Sequence, residues 1–138
     1  MTGEVFIDSG AFIAFLDRSD RLHGQVVSLF ARRPRRWTTS AFVMSETYGW
    51  FLHRLGEDTA RTFRLLTSDL PNLRVLGSDA RHLEAVHAKL DALRGCKLTF
   101  VDASSLVWLE ERTIATVWGT DHHLVIEGAT VVPGPPSP

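Results

Sequence analysis

The sequence predicts an α/β fold in which helices cover both faces of a parallel β-sheet. Short apolar runs with strand character, such as Val5-Phe6-Ile7 and Leu73–Leu76, alternate along the chain with longer segments of helical character. Strands that are apolar throughout are typical of a parallel sheet that is buried on both sides. The alternation of strand and helix favours the same layered arrangement.

In the first half of the chain, residues that cap or break helices set the predicted boundaries. Ser9-Gly10 ends the first strand, and Pro34 ends the second helix because proline disfavours helix in the residue before it. Ser40 is the expected N-cap of the third helix, and Gly56 is its stop signal. The predicted strands are Glu4–Ile7 and residues 36–38, and the predicted helices are residues 11–16, His23–Ala31, Ala41–Leu55 and residues 58–67.

In the second half, Pro71-Asn72 marks a turn before the strand Leu73–Leu76. Helices are predicted over residues 79–93 and 102–112, and strands over residues 114–118 and 130–132. In folds of this class, ligands bind beyond the carboxyl ends of the strands, near the point where the strand order reverses. Residues that directly follow strands are therefore the first candidates for a functional site.

Length and composition predict one globular domain over residues 1–132 and a Pro-rich tail, residues 133–138, that is extended or disordered. Of the 138 residues, 44% are hydrophobic and 22% are charged, a balance that excludes a wholly disordered chain. The formal net charge of −1 neither indicates nor excludes a nucleic-acid partner. A signal-peptide pattern and a membrane-spanning apolar run are absent, and the single Cys96 suits a reducing compartment. We therefore expect a soluble, cytoplasmic protein with no membrane partner.

Four acidic residues lie where a globular domain ordinarily avoids charge. Asp8 follows the first apolar strand, Asp102 follows the apolar run at residues 98–101, and Asp121 comes after the strand predicted at residues 114–118. Glu46 has helical spacing to apolar residues, so we expect it on the apolar face of the third helix. Carboxylates at such positions are costly unless they hold a cation. The set therefore predicts a divalent-metal site.

Each of these carboxylates, taken alone, also has a structural explanation. Asp8 could cap the helix that follows it, and Asp102 could be the N-cap of a helix over residues 103–112. Asp121 could belong to a simple turn, and Glu46 could reach solvent from the edge of the apolar face. The prediction of a metal site therefore depends on the four residues jointly.

A cluster of carboxylates determines what it can bind. Two carboxylates about 5 Å apart repel by roughly 3 kcal/mol at an effective dielectric constant of about 20. Oxygen ligands without paired Cys or His favour Mg²⁺ or Mn²⁺ over zinc. Near a phosphate, such an ion lowers the pKa of a water molecule and stabilises the oxyanions of in-line attack. The implied reaction is phosphodiester hydrolysis.

Four short motifs follow one another along nearly the whole chain. They are Phe6-Ile7-Asp8-Ser9-Gly10-Ala11, Ser45-Glu46-Thr47, Phe100-Val101-Asp102-Ala103 and Gly119-Thr120-Asp121-His122-His123-Leu124. In order and spacing they resemble the motifs of the PIN-domain family, most closely those of the VapC-type toxins of bacterial toxin–antitoxin pairs. The resemblance implies a three-layer α/β/α domain with a central parallel sheet and Mg²⁺- or Mn²⁺-dependent endoribonuclease activity. It also implies that the catalytic residues and metal ligands are Asp8, Glu46, Asp102 and Asp121.

The same resemblance implies an RNA substrate, a cognate VapB-like antitoxin that neutralises the toxin, and a homodimer. The chain departs from the family's pattern at Gly119, where members often have Thr or Ser, and at Leu124, where they often have Phe. Thr120, next to Gly119, and Ser9, after the first Asp, are candidate supporting residues. Helix capping is the alternative role for Ser9.

Two other functions compete with the nuclease on sequence alone. A non-catalytic PIN-like RNA-binding or scaffold module would keep the fold, but the intact acidic quartet argues against it. A phosphotransferase that forms a phosphoaspartate at Asp8 would resemble the haloacid-dehalogenase-like phosphatases. That chemistry uses Asp-x-Asp, whereas Gly10 occupies the third position here.

Two clusters outside the quartet have alternative explanations. Arg32-Arg33-Pro34-Arg35-Arg36, followed by Trp37, could contact the phosphates of an RNA, or it could be a solvated helix end. His122 and His123 could contact a substrate phosphate or a softer metal, or they could be surface histidines of a loop.

Overall fold

The computed structural model describes residues 3–135 and has an all-parallel, five-stranded sheet at its centre, with the order β3-β2-β1-β4-β5. The chain runs outward from β1 through β2 to β3 and then crosses back to β4, so the strand order reverses between β1 and β4. This reversal is the expected position of a ligand site. The strands are β1 (Glu4–Ile7), β2 (Arg36–Ser40), β3 (Leu73–Leu76), β4 (Thr116–Gly119) and β5 (Thr130–Pro133).

Helices cover both faces of the sheet and confirm the predicted three-layer α/β/α fold. They are α1 (Ser9–Leu16), α2 (His23–Ala31), α3 (Ala41–Leu55), α4 (Glu57–Asp69), α5 (Ala80–Ala92) and α6 (Phe100–Arg112), and a short 3₁₀ helix, His122–Val125, precedes β5. Crossovers between parallel strands are right-handed. The helices α1 to α4, on the outward path, therefore cover one face, and α5 and α6, on the return path, cover the other.

An aromatic core fixes the helices of the outward path. The fully buried ring of Phe63 on α4 lies 5.2 Å from Phe12 of α1 and 5.6 Å from Phe51 of α3, measured between ring centroids. Burying an aromatic side chain of this size contributes roughly 2–3 kcal/mol. Because α1 begins directly after β1 and α3 carries Glu46, this packing also sets the distance between the first two acidic motifs.

Four elements have the predicted boundaries, and at α3 local capping signals explain the agreement. β1, α2, α3 and β3 begin and end at the predicted residues. At the start of α3, the Ser40 hydroxyl accepts a hydrogen bond from the Val43 backbone N–H at 3.2 Å. Gly56 ends α3 with a φ of 92°, a conformation that favours glycine. The other boundaries differ from the predictions by at most two residues.

Two boundaries correct the predictions for a specific reason. Asp102 is not the N-cap of α6, because the Thr99 hydroxyl accepts from the Asp102 N–H at 3.0 Å and the Asp102 carboxylate accepts from the Thr99 N–H at 3.1 Å. This reciprocal capping box begins the helix at Phe100 and leaves Asp102 inside its first turn. β4 begins at Thr116, since the Ile114 N–H still bonds to a carbonyl of the last turn of α6.

The last strand extends to Pro133, and the Gly134 N–H donates to the Gly119 carbonyl at 3.0 Å. The first residues of the segment predicted as a tail, residues 133–138, therefore adjoin the sheet, and residues 136–138 lie outside the described residues. Across residues 3–135, none of the helices combines the length and apolar character needed to span a membrane.

A buried ion pair closes the amino edge of the sheet. Glu4, whose side chain is 7% exposed, accepts hydrogen bonds from the Thr38 hydroxyl at 2.6 Å and from Arg112 Nη2 at 2.9 Å. Burial alone raises the pKa of Glu4, but the hydrogen bonds from Thr38 and Arg112 and the charges of Arg112 and Arg36 lower it below its ordinary value of 4.5. The pair ties β1 to β2 and to the end of α6.

We predict that Arg112→Gln lowers the free energy of unfolding by about 2 kcal/mol at neutral pH, because it removes a charged hydrogen-bond donor from a buried carboxylate. The pKa of Glu4 is lowered in the folded state, so the stabilisation is complete above the ordinary value of 4.5 and is lost as the pH falls below it. Urea unfolding should show the difference shrinking at acid pH. The exposed Arg94→Gln is the control and should change stability by less than about 0.5 kcal/mol. Equal stability of both variants at neutral pH would contradict the role of the pair.

Candidate metal centre

The four acidic residues lie together at the carboxyl edge of the sheet, where the strand order reverses. Asp8 follows β1, and its backbone N–H donates to the Trp118 carbonyl of β4 at 2.9 Å. Asp121 comes two residues after β4, Glu46 lies on α3, and Asp102 lies in the first turn of α6. Asp8 interacts electrostatically with the other three, Glu46 with both Asp102 and Asp121, and Asp102 with Asp121. Each of the four carboxylates therefore interacts electrostatically with the other three.

Two glycines allow this close approach. A Cβ atom at Gly119 would lie 3.1 Å from the Cβ of Asp8, and one at Gly10 would overlap the side chain of Thr120. The chain after β1 thus packs closely against the end of β4 and the residue that follows it, and a side chain at Gly10 would clash there. From the sequence, Gly10 was expected to end the first strand and Gly119 was a departure from the family's pattern, and neither was expected to be a point of close approach. A signal was present, since Gly10 follows β1 by three residues and Gly119 is the last residue of the adjacent strand β4.

Asp8 is the most deeply buried of the four carboxylates, with 5% of the residue exposed. It occupies the N-cap position of α1, but its side chain makes no capping hydrogen bond to that helix. Burial, the largest cause, and the charges of Glu46, Asp121 and Asp102 together raise its pKa to about 7, against a lowering hydrogen bond from the Ser9 backbone. Capping therefore does not explain why this residue is an aspartate.

Glu46 is the most exposed of the four, and the expectation that it lies on the apolar face of α3 is wrong. The buried positions of α3 are Val43, Thr47 and Phe51, spaced four residues apart. Glu46 lies one residue, or about 100° of helical rotation, away from that stripe. Burial by neighbouring groups raises its pKa, a hydrogen bond from the Ser9 hydroxyl lowers it, and the charges of Asp102 and Asp121 raise it. Ser9 thus contacts a member of the quartet.

Asp102 and Asp121 are joined to each other as well as to the backbone. Asp102 is 8% exposed, and burial raises its pKa against the lowering hydrogen bonds of Thr99. The charge of Asp121 and a hydrogen bond between the two carboxyl groups raise it further. Asp121 is the N-cap of the 3₁₀ helix and accepts from the His123 N–H at 2.9 Å. The carboxylate of Asp121 therefore caps a turn, as the structural explanation expected. The same carboxylate also interacts with Asp102.

The histidines after Asp121 differ in their contacts. His123 Nδ1 lies 2.9 Å from Asp121 Oδ1 and 3.7 Å from Asp102 Oδ2, with 26% of its side chain exposed. His122 Nδ1 lies 3.9 Å from Asp121 Oδ1, and its side chain is 72% exposed. The structure therefore brings His123 into contact with two members of the quartet, which the sequence alone did not distinguish from a surface position.

The basic cluster at residues 32–36 lies away from the quartet. It connects the end of α2 to the start of β2, which places it at the amino edge of the sheet. Trp37, which follows it, is 4% exposed and packs against Phe30 and Trp118 in the core. It is not available to stack on a nucleotide base. The structure therefore does not unite these arginines with the acidic site.

The donor set fits a hard divalent cation. Four carboxylates converge, and among the ion pairs of residues 3–135 none joins Asp8, Glu46, Asp102 or Asp121 to a Lys or Arg. Buried carboxylates without a cationic partner are costly. A bound cation removes this cost and takes up the oxygen ligands that Mg²⁺ and Mn²⁺ prefer.

Without metal ions, we predict that Asp8→Asn melts roughly 4 °C or more above wild type at about pH 8. The pKa of Asp8 is raised to about 7, so the folded state gains stability from the protonated carboxyl at low pH and loses it as the pH rises through that value. The asparagine has no such charge. Thermal unfolding with a chelator should show the gap between variant and wild type narrowing toward about pH 4.

The exposed Asp91→Asn on α5 removes the same charge elsewhere and serves as the control. Its melting temperature should stay close to that of wild type at each pH. A lower melting temperature for Asp8→Asn at alkaline pH would mean that the carboxylate stabilises the fold and is not held there at a cost.

Comparison with known proteins identifies the family. A model of the PIN domain matches residues 5–124, a span that contains all four acidic residues and both histidines. A search of curated protein sequences finds no match.

Solved structures share the fold at low sequence identity. VapC20 from Mycobacterium tuberculosis, described as a sarcin–ricin loop cleaving toxin, has a TM-score of 0.85 and 24% identity, over 91% of this chain and 96% of that one. FitAcB from Neisseria gonorrhoeae has a TM-score of 0.67 and 17% identity, over 92% and 95%. VapBC2 from Rickettsia felis, bound to a DNA fragment from its promoter, has a TM-score of 0.61 and 10% identity, over 93% and 96%. Because the family model extends from β1 to the 3₁₀ helix, this chain belongs to the PIN-domain family, a family of nucleases.

Proposed function

We propose that this chain is a metal-dependent endoribonuclease toxin of the VapC type, which acts in the cytoplasm and is neutralised by a cognate VapB-like antitoxin. The observation that carries the proposal is the mutual coupling of four carboxylates where the strand order reverses. PIN-domain nucleases generally use divalent metals. The fold shared with VapC20, a toxin that cleaves the sarcin–ricin loop, supports RNA as the substrate class.

In this proposal Asp8, Glu46, Asp102 and Asp121 hold Mg²⁺ or Mn²⁺, directly or through water. Two of them, Asp8 and Asp102, are almost fully buried and supply ligands at the bottom of the site. Glu46 is exposed and would supply a ligand on the solvent side of the site. When bound, the cation lowers the pKa of a water molecule and neutralises charge on the phosphate oxygens.

The chain's own residues hold the ligands in place before any cation arrives. The Ser9 hydroxyl donates to Glu46, the capping box orients Asp102, and the His123 N–H orients Asp121. Thr120 packs against Gly10 and keeps the two loops together. Ligands fixed in this way need little rearrangement at the moment of reaction. Ser9 and Thr120 are therefore proposed as supporting residues and not as nucleophiles.

The proposed substrate and the proposed oligomeric state have different grounds. RNA is proposed as the substrate because the metal centre suits a phosphodiester, and a homodimer is proposed from the resemblance to VapC-type toxins. The arginines of residues 32–36 are not part of the proposed cleavage site, since they lie at the opposite edge of the sheet.

We predict that the purified protein cleaves single-stranded RNA, that EDTA abolishes the cleavage, and that Mg²⁺ or Mn²⁺ restores it. Asp8→Asn, Glu46→Gln and Asp102→Asn should each lower the rate by roughly a hundredfold or more, because each removes a ligand charge from one cooperative site. Gel analysis of labelled RNA measures the rates. The exposed Asp91→Asn is the matched control and should cleave at the wild-type rate.

Undiminished cleavage by two of the three folded site variants would refute the assignment of the site. If the metal-loaded wild type binds RNA and leaves it intact, the alternative, a non-catalytic PIN-like RNA-binding or scaffold module, replaces the nuclease. Circular dichroism on each variant separates a lost ligand from a lost fold.

A further prediction concerns the antitoxin. We expect its tail to bind at the acidic site and to place an Arg or Lys among the carboxylates, where the side chain substitutes for the charge of the metal. Arginine suits the position because its planar guanidinium meets carboxylates through two hydrogen bonds. Tail affinity, measured by calorimetry, should fall as Mg²⁺ rises, beyond the effect of NaCl at matched ionic strength. Affinity that is indifferent to both Mg²⁺ and Asp8→Asn would exclude direct occupation of the site.

A further inference from the structure

We propose that His123 is a nitrogen ligand of the metal centre, so that the site favours Mn²⁺ and the later divalent transition metals over Mg²⁺. This inference rests on the proposed function, because it concerns the same centre. It assigns a role to a residue outside the acidic quartet and names the class of metal that the site selects.

The distances around His123 match those between ligands of one ion. Its Nδ1 atom lies 2.9 Å from Asp121 Oδ1 and 3.7 Å from Asp102 Oδ2. A six-coordinate ion with ligands at about 2.1 Å separates neighbouring ligand atoms by about 3.0 Å and opposite ones by about 4.2 Å. The 2.9 Å separation matches that of neighbouring ligands, and the 3.7 Å separation lies between the values for neighbouring and opposite ligands. A side chain must therefore adjust for one ion to contact all three atoms.

The position of His123 is set by the backbone. Its N–H donates to Asp121 Oδ1 at 2.9 Å, which fixes the first turn of the 3₁₀ helix against the site. Its ring packs against that of His122, with 4.2 Å between the centroids. His122 itself reaches only Asp121, at 3.9 Å, and is mostly exposed. Of the two histidines, only His123 contacts two carboxylates of the quartet.

An imidazole nitrogen changes which metals the centre prefers. Carboxylate oxygens suit Mg²⁺ and Mn²⁺ alike, whereas an imidazole nitrogen suits transition metals and adds little to Mg²⁺ binding. Affinity then rises from Mn²⁺ toward the later metals of the series. The selectivity between Mn²⁺ and Mg²⁺ should therefore depend on His123.

Pulsed electron paramagnetic resonance on the full chain with equimolar Mn²⁺ tests the ligand directly. The wild type should show nitrogen modulation of the Mn²⁺ echo, and His123→Asn should abolish it. Asparagine is chosen because it keeps a polar amide near the position of Nδ1 while removing the imidazole. The control His53→Gln, at an exposed position of α3, should keep the signal. His122→Gln removes the other histidine that is close enough to share an ion with Asp121 and His123, and it should also keep the signal if His123 is the ligand.

Calorimetry supplies the second readout. His123→Asn should weaken Mn²⁺ binding by about tenfold or more while changing Mg²⁺ binding by less than about threefold. The proposal is overturned if wild type shows no nitrogen modulation, if the signal survives His123→Asn, or if the variant weakens both metals equally. The last result would make His123 a positioning residue for Asp121.

The two proposals fail in different ways. A His123-dependent nitrogen signal without any RNA cleavage would refute the nuclease and leave the ligand assignment standing. Cleavage of RNA by the Mn²⁺ form without a nitrogen signal would do the reverse. If the wild type binds no Mn²⁺ at all, both are wrong.

Discussion

The parallel pairing of β1 with β4 holds Asp8 in a position where only 5% of the residue is exposed. Its N–H is engaged by Trp118, and Gly119 packs directly against its side chain. The carboxylate is therefore desolvated by the backbone geometry of the sheet, and the other three acids add negative charge to the same place. Two glycines, the capping box of α6 and the cap of the 3₁₀ helix all serve this arrangement. They fix the positions of carboxylates whose charges repel one another.

The two edges of the sheet treat buried acids differently, and the contrast is informative. At the amino edge, Glu4 is neutralised by Arg112 and its pKa is lowered. At the carboxyl edge, the pKa values of Asp8, Glu46 and Asp102 are raised, and within residues 3–135 no Lys or Arg forms an ion pair with them. The chain can evidently pair a buried acid where stability requires it. Acids with raised pKa values and no Lys or Arg partner at the other edge indicate a function, because perturbed groups of this kind cluster at active sites.

Part of the fold was predictable from the sequence, because residues that cap helices or end strands act locally. The start and the end of α3 were predictable because Ser40 and Gly56 are residue types that commonly cap helices. The end of β1 was predictable because an apolar run is followed by Asp8. Other features depend on contacts that local pattern does not encode. Thr99 displaced Asp102 from the expected cap because two capping residues compete three positions apart. Glu46 does not lie on the buried face of α3, because the packing of α3 against α1 and α4 determines which of its residues face the core. The contacts of His123 with Asp121 and Asp102 could not be predicted without knowing the order of the strands in the sheet.

Anomalous diffraction from crystals soaked in Mn²⁺ tests the central claim, that the four carboxylates form one metal centre. The account predicts an anomalous peak at the carboxyl edge between β1 and β4, within bonding distance of Asp8 and Asp102 or of waters that they hold. The peak should be lost in crystals of Asp8→Asn. A peak confined to other surface residues, or none at all at saturating Mn²⁺, would contradict the account.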